Sequence, residues 1–284
     1  MIAAVGALAL GAVAAWLLAQ RAGDLFAVDA LARRNYRDAT LPTGVGVLLA
    51  VVALAAVAVE QVVLAVDGGR SAPAWAWSRG PALVALLAFT LLGLLDDVAG
   101  VGQSGGFRGH LAALARGRPT SGVVKLLGGA AAGVAVAASA GSGAHGGVAL
   151  LRDGAIVALA ANLANLFDRA PGRAVKVATV GFVAALLVAR DGALVAPALG
   201  VGAGLGLLGG DLRERYMLGD AGANPLGALV GLSWLLAVTT AAGRWLLLVV
   251  LAGANLASEV VSFSRIIDAT PPLRWLDRLG SRRA

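Results

Sequence analysis

Asp96 and Asp97 stand side by side at the end of the uncharged run from Gly80 to Leu95. Adjacent carboxylates at the edge of an apolar segment can hold a hard cation or exchange a proton, although acids also end such segments with no chemical role. Asn162, Asn165 and Asp168 recur every three residues, which on a helix confines them to an arc of about 120°. That arc either faces one polar site or bonds neighbouring helices. Asp220 lies in Gly219-Asp220-Ala221-Gly222-Ala223-Asn224. There, small residues either let backbone amides cradle an anion at a helix start or make a tight turn. Of the 23 basic residues only Lys125 and Lys176 are lysines. Each fits a compact phosphate-binding charge and equally a snorkelling anchor. Pro171-Gly172-Arg173 follows Asp168 closely and predicts a tight loop in which Arg169, Arg173 and Lys176 clamp a diphosphate. Together these residue types point to phosphate and divalent-cation chemistry.

The elements that must position them are set by composition. The chain has 284 residues, is 59% hydrophobic and only 14% charged. Uncharged runs at 1–20, 39–59, 126–151, 192–210 and 221–243 are each long enough to cross a bilayer, which takes roughly 20 apolar residues. Shorter runs at 80–95, 154–167, 177–189 and 245–258 span if flanking charges reach the interface, with Arg152 and Asp153 close to it. The fold class is therefore all-α, a polytopic integral membrane protein of about nine transmembrane helices. Little polar sequence remains for a separate soluble domain, so residues 1–284 form one domain with a basic tail at 261–284. Trp275, Leu276 and Leu279 among arginines give that tail an interfacial, amphipathic character.

Orientation follows from basic residues. If connections alternate between two sides, eighteen of the 23 lysines and arginines fall on one side. The positive-inside rule puts that side in the cytoplasm, with the N-terminus outside and the first run read as a retained span. The formal charge of +7 then reflects topology and contact with anionic membrane lipids. No nucleic-acid partner is implied. Absence of cysteine excludes disulfides and thiol catalysis. Gly204-Leu-Gly206-Leu-Leu-Gly209 matches the dinucleotide fingerprint, but it lies inside an apolar run with no strand before it, and reads as helix packing. His110 and His145 are isolated and make no metal site. On this topology Asp96, Asp97, Asp168 and Asp220 all reach the cytoplasmic face, each where a span meets a loop. Mg²⁺ suits such a cluster, since it takes one or two carboxylates plus substrate phosphates and water.

Six segments occur in an order that resembles the polyprenyl-phosphate N-acetylhexosamine-1-phosphate transferases. They are Asn35-Tyr-Arg37, Pro42-Thr-Gly-Val-Gly46, Leu94-Leu-Asp96-Asp97, Gly122-Val-Val-Lys125, Asn162-Leu-Ala-Asn165-Leu-Phe-Asp168 and Gly219-Asp220-Ala-Gly222. The likeness covers residues 33 to 260. It implies cytoplasmic active-site loops, a Mg²⁺ cofactor with Mn²⁺ as the alternative, and two substrates, a UDP-amino sugar and undecaprenyl phosphate. The implied enzyme is a glycosyl-1-phosphate transferase of cell-envelope glycan synthesis, in a bacterial plasma membrane, that releases UMP. A homodimer is also implied. By the same resemblance Asp220 and Asp97 bind metal, while Asp96, Asp97 and Asp168 are catalytic. Arg37, Lys125, Asn162 and Asn165 bind substrate.

The departures are specific. Pro171 stands where the family carries another acid, Val98-Ala99-Gly100 replaces a charged residue after the acidic pair, and the histidine-rich last loop and a tenth span are missing. These leave a second reading: an inactive relative that binds a prenyl phosphate or nucleotide sugar as a regulator or scaffold. A transporter fits less well, because charges gather at span ends rather than within them.

Overall fold

The computed structural model describes residues 1–69, 73, 76–99, 121–189 and 192–281; His110, Arg282 and Arg283 lie outside them. Among the described residues the chain forms eleven α-helices. They are α1 (Ile2–Ala22), α2 (Val47–Val66), α3 (Arg79–Ala99), α4 (Ser121–Ser139), α5 (Gly147–Phe167), α6 (Arg173–Val188), α7 (Val195–Leu212), α8 (Asp220–Ala237), α9 (Ala241–Val260), α10 (Phe263–Ala269) and α11 (Pro271–Arg278). Six segments are long and apolar enough to cross a membrane: α1, α2, α3 with the turn before it, α5, α7 and α9. α9 shows why a membrane is needed. It has no buried residue, and Leu246, Val249, Val250 and Leu256 stand exposed along it. Such a face is stable only against lipid or another apolar surface.

α8 is the opposite case. It opens with Asp220, Asn224 and Pro225, and thirteen of its eighteen residues are buried against α3, α5, α6 and α7. A helix enclosed in this way need not be uniformly apolar. Small residues bring the helices together. A Cβ on Gly202 would strike the Leu8 carbonyl and one on Gly206 the Ala12 carbonyl, so α1 lies backbone to backbone on α7. The glycine run at 204–209 thus packs helices.

Several expected boundaries move. The run 126–151 is broken between α4 and α5, where Gly141 and Gly146 take φ values of 85° and 93° that favour glycine. α5 therefore starts at Gly147, and Arg152 and Asp153 are buried inside it rather than lying at its edge. There Asp153 accepts hydrogen bonds from Arg152 (2.8 Å) and from Arg244 of α9 (2.5 Å). The run 221–243 likewise ends as helix at Ala237. Asp96 and Asp97 belong to the last turn of α3, not to the connection after it. The tail folds into α10 and α11.

Candidate functional site

The ends of α3 and α5 meet the starts of α2, α4 and α8 at one end of the bundle. Gly93 makes the approach of α3 possible, because a side chain there would collide with the Asp220 carbonyl. Asp97, one turn later, accepts the backbone N–H groups of Asp220 (3.0 Å) and Ala221 (2.9 Å) on its two carboxylate oxygens. These are orphan donors at a helix start, and a carboxylate there also meets the positive end of the helix dipole. Gly219, at φ 73°, turns the chain into α8 and leaves room that a Cβ would take from Asp97 and Thr43. The amides at the start of α8 that could cradle an anion are thus taken by Asp97.

Lys125 donates to Asp96 Oδ2 at 3.0 Å and forms an ion pair with Asp220 Oδ2, to which Asn165 Nδ2 also donates at 3.3 Å. One ammonium therefore lies between carboxylates from α3 and α8. Arg33 closes the other side of α3, donating to the Asp97 carbonyl at 2.5 Å and the Val98 carbonyl at 3.2 Å. It comes from a hairpin, β1 (Ala32–Arg34) paired antiparallel with β2 (Thr40–Pro42). The hairpin is tied to the segment before α8 by Met217 N–H to Pro42 O (2.8 Å).

Asp168 follows α5 and lies close to Asp211, Asp220, Asp97 and Arg173. Burial, reinforced by the three neighbouring carboxylates, pushes its carboxyl well above the usual range. Asp168 also borders a cavity of about 350 Å³ between the hairpin and the loops before α6 and α8, lined by Arg34, Tyr36, Arg169, Asp211 and Tyr216 among others. Buried Tyr216 donates to the Leu207 carbonyl at 2.9 Å, and burial pushes its phenol up to about 12.

The other expected site residues are engaged elsewhere. Asn162 donates to Asn255 of α9 at 2.7 Å, because its place on the arc is turned away from Asp168 toward a different neighbour. Arg37 is exposed and pairs with Glu214 at 3.2 Å. Arg173 is buried and donates to both oxygens of Asp277 in α11, at 2.7 and 2.9 Å, and to Ser264 at 2.8 Å. Lys176 caps α11 through the carbonyls of Leu276 (3.1 Å), Asp277 (2.7 Å) and Leu279 (2.8 Å). The loop expected as a diphosphate clamp therefore holds the tail. Asp211, outside the motifs above, is buried and accepts from Gly172 N–H at 2.6 Å. It ends an apolar run just as Asp96 does, and that signal finds it.

Among the described residues no three His, Cys, Asp or Glu side chains converge as a closed cage. Asp96 and Asp220 do converge on one cation, the Lys125 ammonium. Two carboxylates around one positive point fit Mg²⁺ shared with substrate phosphates, and do not fit an all-protein Ca²⁺ or Zn²⁺ site. No protein-family profile matches the chain, and no characterised protein matches it in sequence.

Proposed function

We propose that the chain is a membrane-embedded sugar-1-phosphate transferase, which joins the phosphosugar of a UDP-amino sugar to undecaprenyl phosphate and releases UMP. The observation that carries this reading is the convergence of Asp96, Asp220, Lys125 and Asn165 from four helices onto one charged point at a bundle end. In the reaction an oxygen of the lipid monophosphate bonds to the sugar-linked phosphorus of the UDP-sugar. The bond from that phosphorus to the bridging oxygen breaks, and UMP leaves with the oxygen. Such transfer needs in-line placement and charge neutralisation more than covalent help. Mg²⁺ held by Asp96 and Asp220 would neutralise the diphosphate. Lys125 leaves its acid partners to bind phosphate oxygens, and Asp97 positions Asp220. The cavity beside Asp168 takes the nucleotide, with Arg34 and Arg169 near the diphosphate and Asp168 and Asp211 as acceptors for ribose hydroxyls. All nine long helices cross the membrane in this reading, with the acid group in the cytoplasm and the N-terminus outside.

The test is turnover: purified protein in detergent with undecaprenyl phosphate, Mg²⁺ and a panel of UDP-sugars should release UMP from at least one. A second reading, a binding-only relative, is favoured by Lys125 filling the place between Asp96 and Asp220. Retained nucleotide-sugar binding with no UMP from any sugar would establish it.

A further inference from the structure

The tail is fastened to the bundle at the end that carries the acid group. Phe263 of α10 stacks on Phe167, next to Asp168, with ring centroids 4.9 Å apart. Asp277 is the buried residue of α11, held by Arg173, while Lys176 caps the helix end. The opposite side of α11 faces outward, with Trp275, Leu276 and Leu279 exposed by 64%, 51% and 54%. Only Val261 and Ser262 separate α10 from α9, which is long and apolar enough to cross a membrane. So short a link spans at most about 11 Å, and the tail therefore starts at the membrane boundary. An exposed tryptophan among leucines at that depth matches the headgroup region.

Charge decides which lipid suits this face. α10 and α11 carry Arg265, Arg274 and Arg278, all exposed, together with exposed Asp268 and buried Asp277. Docking takes Asp277 out of that balance, because its carboxylate turns inward and is neutralised by the Arg173 guanidinium. A docked tail thus presents three arginines and one acid, whereas a released tail presents three arginines and two acids. An anionic surface favours the docked form by that one charge, a factor of about five in the docking equilibrium. A zwitterionic surface draws no such distinction. Docking also reaches the site, since the loop that carries Arg173 is the one whose Gly172 N–H bonds to Asp211 beside the Asp168 cavity. We propose that anionic membrane lipid binds the outward face of α10 and α11, and by preferring the docked tail holds the loop before α6 in place. Only the consequence for turnover rests on the transferase reading.

The chain has no cysteine, so Ile267→Cys places a single thiol on the buried side of α10, where a water-soluble maleimide reaches it only when the tail is released. Full-length protein in phosphatidylglycerol nanodiscs should label about fivefold more slowly than in phosphatidylcholine nanodiscs. Arg274→Gln with Arg278→Gln should remove the difference. So should Arg173→Met with Asp277→Leu, in which release no longer exposes an acid. Quenching of Trp275 by brominated lipid, read as the difference from Trp275→Phe, reports the surface contact itself and decides the matter if the cysteine variant does not fold. Brominated phosphatidylglycerol should quench more than brominated phosphatidylcholine in the wild type and in the Arg173, Asp277 pair, but not in the Arg274, Arg278 pair. Equal labelling in the two lipids, quenching without headgroup preference, or a labelling difference that survives in the Arg173, Asp277 pair would each overturn the proposal. Absence of UMP release in either lipid leaves labelling and quenching as they are and counts against the transferase reading alone.

Discussion

The carboxylate of Asp97 bonds to the first two backbone amides of the helix that Asp220 begins, at 3.0 and 2.9 Å. The end of α3 and the start of α8 are thereby fixed to each other, and the Asp220 side chain is aimed at Lys125 and Asn165. Asp97 thus acts on the site through another residue. Its adjacency to Asp96 has a structural meaning: neighbours on a helix point about 100° apart, so one acid caps α8 while the other faces the lysine.

Replacing Asp97 with alanine should therefore lower stability as well as turnover. Loss of a cap costs about 1–2 kcal/mol, and two amides are orphaned together. Asp97→Asn keeps one acceptor and should fall between alanine and wild type. Asp220→Asn removes a charge without disturbing the cap, so its melting temperature should stay near or above wild type while UMP release is lost. Thermal unfolding beside an activity assay separates the two, and a wild-type melting temperature for Asp97→Ala would contradict the positioning role.

Lys125 compensates two carboxylates, so Lys125→Met should leave Asp96 and Asp220 repelling one another. The variant should melt below wild type in chelator, by about 1–3 kcal/mol for a partly buried charge left unpaired. Mg²⁺ should then raise its melting temperature more than that of the wild type, where the ammonium competes for the same oxygens. Equal responses to Mg²⁺ in both proteins would place the cation elsewhere.

The acids were legible in sequence because charge is scarce in this chain, so an acid at the edge of an apolar run stands out, as Asp96, Asp168 and Asp220 do. Their partners were less legible. Nothing local in the sequence says that Arg173 pairs with Asp277, or that Asn162 turns to Asn255, because both contacts depend on which helices become neighbours. Hydropathy also passes over turns: residues 126–151 are uniformly uncharged, yet Gly141 and Gly146 adopt left-handed φ values and end one helix before the next. Counting nine spans from uncharged runs shares that weakness, since an enclosed helix such as α8 and a lipid-facing one such as α9 follow different rules.

Asp168 gives a pH signature. Its carboxyl holds a proton more tightly in the fold than in the unfolded chain, because burial and the carboxylates of Asp211, Asp220 and Asp97 oppose its charge. A raised acid contributes stability that is fully present below the unfolded value, about 3.9, and is lost as pH rises toward the folded value. Asparagine cannot ionise. Asp168→Asn should therefore match the wild type in acid and become progressively the more stable protein as pH rises toward neutrality, while losing turnover. A melting-temperature difference that stays constant with pH would remove the like-charge account.

Arg173 and Asp277 separate a clamp from a latch. Each is 4% exposed and the pair is bidentate, so removing one partner strands a buried charge and should cost about 3–5 kcal/mol. Exchanging both for apolar residues of similar size should be nearly neutral. Arg173→Met alone should thus melt far below the wild type and expose the tail at 263–278 to protease, whereas Arg173→Met with Asp277→Leu should recover most of the stability. Turnover should follow the same order, because Gly172, next to Arg173, donates to Asp211 beside the Asp168 cavity, and a released tail loosens that loop. A diphosphate clamp makes the opposite forecast: turnover stays lost in the double variant even though the fold is restored. Measuring melting temperature, proteolysis and UMP release on the single and double variants therefore distinguishes the two roles of Arg173.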